Sequence, residues 1–155
     1  MKKFIKIITI SLVCFLSFAF SSKAQWFIDY NKGDEMLNIP SHYSCLYRDA
    51  SSEDWAGYMT YSKYFAISSS NGIFDYDYDT ETIDATIGYY KGGQLVTKED
   101  TKAIVGKGKD IAYFSAMLSD KIITYLKNEG DVRIYARKYT QANYDVKIPM
   151  NKNLK

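Results

Sequence analysis

The fold is decided by the stretch IDATIGYYKGGQLVTK, residues 83–98. Apolar side chains occupy alternate positions in its first half: Ile83, Ala85, Ile87 and Tyr89. This period of two is typical of a strand that buries one face. Lys91-Gly92-Gly93 then provides a tight turn, because glycine accepts positive backbone angles, and residues 95–98 return. The stretch therefore predicts a β-hairpin with its isoleucines facing the core.

The same period of two recurs along the rest of the chain. Ser69-Ser70-Asn71-Gly72 predicts a second hairpin turn, leading into a strand with Phe74 and Tyr76 facing inward. Short strands separated by turns at this spacing are typical of an antiparallel sandwich or barrel. We therefore expect a mainly β protein, an antiparallel β-sandwich or barrel of about eight strands. Besides the first hairpin, the predicted strands cover residues 26–30, 42–48, 57–61, 64–68, 73–78, 103–105, 112–117, 132–136 and 144–148.

One short helix is predicted near the C-terminus. Ser119 is the candidate N-cap, and Ile122 and Leu126 recur at helical spacing before a stop at Asn128-Glu129-Gly130. A helix of about nine residues is not stable alone in water. We therefore expect its apolar stripe to cover the sheet.

The first 24 residues have the order of a secretory signal peptide. Lysines precede an apolar run of 14 residues, 7–20, and small residues lead to Ala24. The run is shorter than the roughly 20 residues that cross a bilayer. We expect cleavage before Gln25, a periplasmic or secreted protein, and no membrane attachment afterwards. The remainder is expected to form one domain over residues 25–150, followed by a frayed tail over residues 151–155.

The charge and tyrosine content of residues 25–155 limit the classes of partner. These residues carry 16 basic and 18 acidic side chains, a net charge of −2, with no basic stripe for nucleic acid. They also contain all 15 tyrosines. Tyrosine favours half-buried strand positions, so the tyrosines indicate a β-rich core and rim or an aromatic platform for sugar or peptide.

Nucleophilic and metal catalysis lack the residues they need. Beyond residue 24 the chain has one histidine, His42, and one cysteine, Cys45, so an internal disulfide is excluded. The two are three residues apart on a predicted strand, so they project from opposite faces and cannot form a dyad. One histidine and one cysteine also do not make a zinc site. Gly106, Lys107, Gly108 and Lys109 lack the ending of a phosphate-binding loop and are interpreted as a flexible loop.

An acidic run carries the sharpest candidate chemistry. Asp75, Asp77, Asp79 and Glu81 alternate with aromatic or hydroxyl residues. On a strand these carboxylates form a solvated face, whereas in a loop they are suited to calcium, which prefers oxygen ligands. Paired carboxylates also serve glycoside hydrolysis. We favour the solvated face, with calcium as the only candidate cofactor.

Several segments occur in a characteristic order along the chain. Trp26 is followed by Asp34-Glu35-Met36, then by residues 83–90, then by Phe114, Leu118 and Leu126, and finally by residues 132–136 and 144–148. This order of elements resembles that of small exported β-sandwich proteins of the invasion-associated locus B type and their type VI secretion-associated relatives. The resemblance implies an exported, non-enzymatic sandwich and assigns no site residues.

Three functional hypotheses follow from these observations. The first is an exported non-catalytic protein that binds a protein or glycan. The second is a small periplasmic hydrolase using Asp75, Asp77 and Asp79. The third is an inhibitor or immunity-type protein that presents residues 106–110 as a protruding loop. A flat aromatic strip favours the binder, an acid-lined concavity the hydrolase, and an exposed rigid loop the inhibitor.

Overall fold

A computed structural model describes residues 24–139 and 142–155 of the chain. These residues form one open antiparallel sheet with a single helix, which confirms the expected mainly β fold. The expected signal peptide, residues 1–24, lies outside the described residues except for Ala24. In chain order the elements are β1 (Gln25–Asn31), β2 (His42–Arg48), β3 (Trp55–Met59), β4 (Phe65–Ser68), β5 (Thr82–Lys91), β6 (Gln94–Val105), β7 (Ile111–Tyr113), α1 (Ala116–Asn128), β8 (Asp131–Ala136) and β9 (Tyr144–Ile148).

The nine strands lie in the order β1-β2-β3-β4-β7-β6-β5-β8-β9, and every neighbouring pair is antiparallel. The sheet curls so that β9 contacts β3, and the Tyr144 hydroxyl donates to the Trp55 carbonyl at 2.8 Å. The Trp26 indole donates to the Pro149 carbonyl at 3.0 Å. Side chains therefore bridge the two sides of the sheet, while among the described residues no backbone ladder joins β1 to β9.

Alternate residues of the strands face one core inside the curl. Ile83, Ile87 and Tyr89 of β5 are at most 1% exposed, as the period of two predicts. Ile122 and Leu126 of α1 are also fully buried, where the helix packs against β4 and β8. The expected covering of the sheet by this stripe is confirmed.

The hairpin of residues 83–98 is confirmed as the β5–β6 pair. Gly92 and Gly93 have φ angles of 57° and 82° at its turn. Strand β6 is longer than expected, with 12 residues, because the pairing continues to Thr82 opposite Ile104. The predicted separate strand over residues 103–105 is therefore the end of β6.

The predicted strand over residues 73–78 is wrong. The backbone N–H of Phe74 donates to Lys109, that of Asp75 to Arg137, and that of Asp77 to Thr82. These bonds reach three different segments, so the alternating pattern forms isolated bridges rather than a ladder. Phe74 is nevertheless fully buried, and the ring of Tyr76 is half-buried against the core.

The predicted hairpin over residues 69–72 is also wrong. Strand β4 pairs with β3 and β7, so these residues belong to the connection between β4 and β5. Gly72 does adopt a positive φ of 91°, as a turn requires. The chain does bend over residues 70–72, but a turn signal does not indicate which strand β4 will pair with.

The helix begins earlier than predicted and is longer, at 13 residues. Ser115 is the N-cap, with its side chain accepting from the Leu118 N–H. Ser119 is buried inside α1, so the predicted cap was wrong, and so was a strand reaching residue 117. A helix of this length is too short to cross a bilayer, and the described residues contain no other that could.

Residues 151–155 are not frayed, contrary to expectation. Leu154 is only 4% exposed within the core, and the Asn151 N–H donates to the Leu126 carbonyl at 2.9 Å. The Tyr58 hydroxyl donates to the Lys155 carbonyl at 2.7 Å. The burial of Leu154 and these hydrogen bonds together dock the tail on the core.

Candidate functional site

The acidic run lies in the connection between β4 and β5, with all four carboxylates exposed. The Asp77 carboxylate accepts the backbone N–H groups of Asp79 and Thr80, at 2.8 and 3.3 Å. These hydrogen bonds, that of Asp79 first, lower the pKa of Asp77. Glu81 contacts the Lys109 ammonium at 3.4 Å. Two of the four carboxylates are thus occupied by local donors.

No cluster of three or more metal-ligating side chains occurs in the part of the chain that the structure describes. The carboxylates Asp75, Asp77, Asp79 and Glu81 therefore do not converge as calcium ligands must. Their arrangement gives the calcium hypothesis no geometrical support, and it stays a prediction. The four carboxylates are exposed to solvent, as the solvated-face interpretation predicts, but they do not lie on a strand.

The Gly106–Lys109 segment is a tied turn rather than a flexible loop. The Gly106 N–H donates to the Ile111 carbonyl at 2.8 Å, and the Lys109 carbonyl accepts from Phe74. The Lys109 ammonium lies 4.5 Å from the centre of the Tyr76 ring. The turn is thus held against the acidic connection, and its role as a partner loop stays a prediction.

His42 and Cys45 both lie on β2 in packed positions. The His42 ring stands 4.6 Å from that of Tyr61, and its Nδ1 is 2.9 Å from the Pro40 carbonyl oxygen. Cys45 is fully buried on the core face. Burial first, and then Cys45, raises the pKa of the neighbouring Tyr58. Both residues therefore act as packing groups in this fold.

Sequence reasoning missed an apolar concavity on the outer face of the sheet, which we call the aromatic groove. It crosses β2, β3, β4 and β7 and has a volume of about 350 Å³. Among its described lining residues none is charged. Met59, Tyr61, Tyr64 and Tyr113 are 39–48% exposed. Its principal lining residues are Leu46, Trp55, Met59, Tyr61, Tyr64 and Tyr113.

Small residues form the floor of the aromatic groove. Gly57 of β3 pairs with Ala66 of β4 at its centre. A Cβ on Gly57 would lie 2.2 Å from the Cys45 carbonyl oxygen and 2.9 Å from Leu46. A side chain there would collide with the backbone of β2, so only glycine fits at this position of the groove floor. The sequence signal for it was a lone glycine inside a strand.

A second concavity, which we call the polar trough, lies on the outer face of β6, β5 and β8 and reaches Asp145 of β9. It consists of two adjoining cavities of about 570 and 270 Å³ that share Thr86 and Tyr135. Of the acidic run, only Asp75 reaches it. The charged lining residues are Asp75, Asp84, Asp100, Asp145, Lys98, Lys102, Arg133 and Arg137.

Most polar groups of the trough are fixed by their neighbours. Lys102 contacts Asp84 at 2.8 Å, and this hydrogen bond raises the pKa of Lys102. Arg133 binds Asp145 through two hydrogen bonds of 2.7 and 2.6 Å, which likewise raise its pKa. The bidentate Arg133–Asp145 pair orients both of its groups, whereas the Lys102–Asp84 pair is largely exposed to solvent.

The hydroxyl groups of the trough are fixed as well. The Thr86 hydroxyl donates to Asp100 at 2.6 Å, and Asn143 donates to the Tyr135 hydroxyl at 2.9 Å. The Arg137 guanidinium, in contrast, makes no hydrogen bond or ion pair with any described residue. Among the described residues it is therefore an unpaired donor that can bind a ligand oxygen through two N–H groups.

Comparison with known proteins adds no assignment, because no family model, curated protein or solved structure matches this chain significantly.

Proposed function

We propose that the chain is an exported, non-catalytic binding protein whose aromatic groove takes apolar side chains of a partner protein. The observation that carries this proposal is the aromatic groove itself. A sheet with one face in the core ordinarily presents polar residues on its other face. Here the outer face of β3 and its neighbours is apolar and concave instead.

The composition of the groove favours a protein as the partner. Tryptophan, tyrosine and methionine are enriched at the centres of protein interfaces, whereas lysine, glutamate and aspartate are depleted. The groove has Trp55, Met59 and four tyrosines, three of them exposed, and none of its described lining residues is charged. Its aliphatic residues, including Leu46 and Ile111, offer no hydrogen bonds to sugar hydroxyls. Protein side chains match this lining better than a glycan does.

The walls of the groove are already ordered, which lowers the entropic cost of binding. The Trp55 ring stands 5.6 Å from Phe27, and the Arg48 guanidinium lies 5.8 Å from the centre of the Trp55 ring. Burying apolar surface contributes about 25 cal/mol per Å². Two or three anchoring side chains in such a pocket are enough for a specific complex.

The aromatic groove can be tested by selecting short random peptides against the purified protein. Selected peptides should carry aromatic or aliphatic anchors and bind Met59→Lys at least about tenfold more weakly, since a charge would enter the apolar site. Val96→Lys is the matched control, because Val96 is 61% exposed on β6 outside the groove. Both variants alter exposed side chains and should melt as the parent does.

Three results would overturn this assignment. Peptides that bind Met59→Lys as well as the parent would place their site elsewhere. Neutral oligosaccharides whose binding Met59→Lys abolishes would make the groove a glycan site. A parent dimer in sedimentation that Met59→Lys dissociates would make a second copy the occupant.

Export is tested by the intact mass of protein recovered from outside the cytoplasm. The mature chain should begin at Gln25, because the small residues before it fit the signal peptidase site. Retention of residues 1–24, or a lipid on Cys14, would contradict the proposed localisation.

A carboxylate-dependent hydrolase is the second candidate, favoured by the three aspartates that line the larger cavity of the trough. Asp84 is already paired with Lys102, and Asp100 with Thr86, so Asp75 is the aspartate left to act as an acid. Release of reducing ends from polysaccharide, lost in Asp75→Asn, would support this candidate over the binder. Intact polysaccharide after prolonged incubation would exclude it.

A further inference from the structure

We propose that the polar trough is a second binding site, for a neutral oligosaccharide. This inference goes beyond the proposed function, because it concerns different strands and a different class of ligand. It rests on three features of the trough: its balanced charges, its position on the sheet and its two tyrosine rings.

The first feature is the balance of charge. Four acidic and four basic side chains line the two cavities. A strongly charged ligand would meet both signs, whereas a hydroxyl group both donates and accepts hydrogen bonds. Carboxylates such as Asp75 can accept from a sugar hydroxyl, and the Arg137 guanidinium can donate to one. The lining thus suits a ligand that is polar and uncharged.

The second feature is the position of the trough over interior strands. Strand β5 is paired along its length with β6 on one side and β8 on the other. A peptide that binds by adding a strand needs an unpaired sheet edge, and the trough reaches the edge strand β9 only at Asp145. Over the rest of the trough the ligand must bind through its own side groups and ring faces, as a sugar chain does.

The third feature is a pair of aromatic rings along the trough. Tyr135 pairs opposite Thr86, and Tyr90 lies four residues further along β5. At strand rise this separates the two tyrosines by about 13 Å along the sheet. Aromatic rings offer an apolar face with a polar tip, which suits the apolar face of a sugar ring. The spacing calls for an oligosaccharide rather than a single sugar.

Gly88 makes room for the Tyr90 ring at one end of the trough. A Cβ at this position would lie 2.9 Å from the Tyr90 ring and 3.3 Å from Leu95. The Tyr90 ring therefore rests on the glycine. The trough is continuous from one cavity to the other because the two cavities share Thr86 and Tyr135.

The test measures binding of chitohexaose, maltohexaose and mannohexaose to the purified protein by titration calorimetry. At least one hexasaccharide should bind, and more tightly than its disaccharide. Arg137→Met and Tyr135→Ala should each weaken binding at least about tenfold, through a lost charged donor and a lost ring face. Tyr135→Phe keeps the ring and should bind nearly as the parent does.

Tyr113→Ala is the matched control, because Tyr113 is an exposed tyrosine of the aromatic groove. It should leave sugar binding unchanged, so a failure of either site is seen separately from the other. The proposal is overturned if none of the three hexasaccharides binds at millimolar concentration. It is equally overturned if binding is insensitive to Arg137→Met and Tyr135→Ala, or if oligogalacturonate alone binds.

Discussion

At the scale of single residues, the least expected feature is a buried ion pair. The Lys138 ammonium lies 3.1 and 3.3 Å from the two carboxylate oxygens of Asp54, and their side chains are 2% and 0% exposed. Asp54 also accepts the Ser70 N–H at 2.9 Å. The pair thus ties together the segments after β2, β4 and β8, which are distant in sequence.

Removing one partner of this pair should be costly. Lys138→Met leaves the Asp54 carboxylate buried without its counter-charge, so we expect a loss of about 3–5 kcal/mol in unfolding free energy. Adding Asp54→Leu should restore part of that loss, because the double variant buries no charge. Denaturant unfolding of the three proteins measures both effects. A Lys138→Met loss below about 1 kcal/mol would mean that solvent reaches the pair.

Ile87 tests the inward face of the β5–β6 hairpin. It is fully buried, so Ile87→Ala should cost about 2–5 kcal/mol of unfolding free energy. Ile104 of β6 is the matched control, being 63% exposed, and its replacement by alanine should change stability by less than about 0.5 kcal/mol. Similar losses for the two variants would show that the burial of the hairpin's faces is misassigned.

At the scale of elements, α1 is attached to the sheet through a serine. The Ser119 hydroxyl accepts the Phe65 N–H at 2.8 Å and donates to the Phe114 carbonyl at 3.3 Å. It links α1 to the start of β4 inside the core. The sequence pattern indicated a helix here, but a serine near a helix start is equally compatible with a cap and with a buried link.

The two serines should therefore differ on replacement. Ser119→Ala leaves the buried Phe65 N–H without its acceptor and should cost about 1–3 kcal/mol of unfolding free energy. Ser115→Ala removes only the N-cap, whose bond to Leu118 is 3.4 Å long, and should cost about 1 kcal/mol or less. Denaturant unfolding of the two variants measures which loss of unfolding free energy is larger. A larger loss at Ser115 would support the cap, rather than the link, as the main anchor of the helix.

The connection that carries the acidic run is an element with its own prediction. The Asp77 carboxylate holds two backbone N–H groups, so we expect millimolar calcium to leave the melting temperature unchanged. Asp77→Asn retains an accepting oxygen and should melt close to the parent. A bound ion at 100 times its dissociation constant would instead add about 2.7 kcal/mol. A calcium-dependent rise that Asp77→Asn abolishes would contradict this expectation.

At the scale of the whole molecule, the sequence predicted what is local. The β5–β6 hairpin was predictable because its alternating residues and its glycine turn are contiguous, and the stripe of α1 was visible for the same reason. The pairing of β4 with β7 was not, since it depends on competition between strands far apart in the chain. Residues 73–78 do not join the sheet as a strand despite their alternating pattern, because their backbone groups bond to three different segments.

The candidate sites were less predictable than the fold. The aromatic groove and the polar trough are assembled from the outward residues of three or four strands, so they depend on a strand order that the sequence did not reveal. Asp75 alone among the candidate carboxylates lies at one of them. The acidic run is recognisable in the sequence because it is contiguous, whereas the lining residues of the two sites come from several different strands.

The indole-to-carbonyl bond between Trp26 and Pro149 bridges the first strand and the end of the last. Within the described residues no backbone ladder joins β1 to β9, so the boundary between these two strands is a seam held by side chains. Amide protons along its two margins should exchange with deuterium before those of β5, which is paired on both sides. Local opening is therefore expected at these two margins. It should leave β3 and β4 at the centre of the groove and β5 at the centre of the trough paired, and among the charged residues of the trough it should displace only Asp145 of β9.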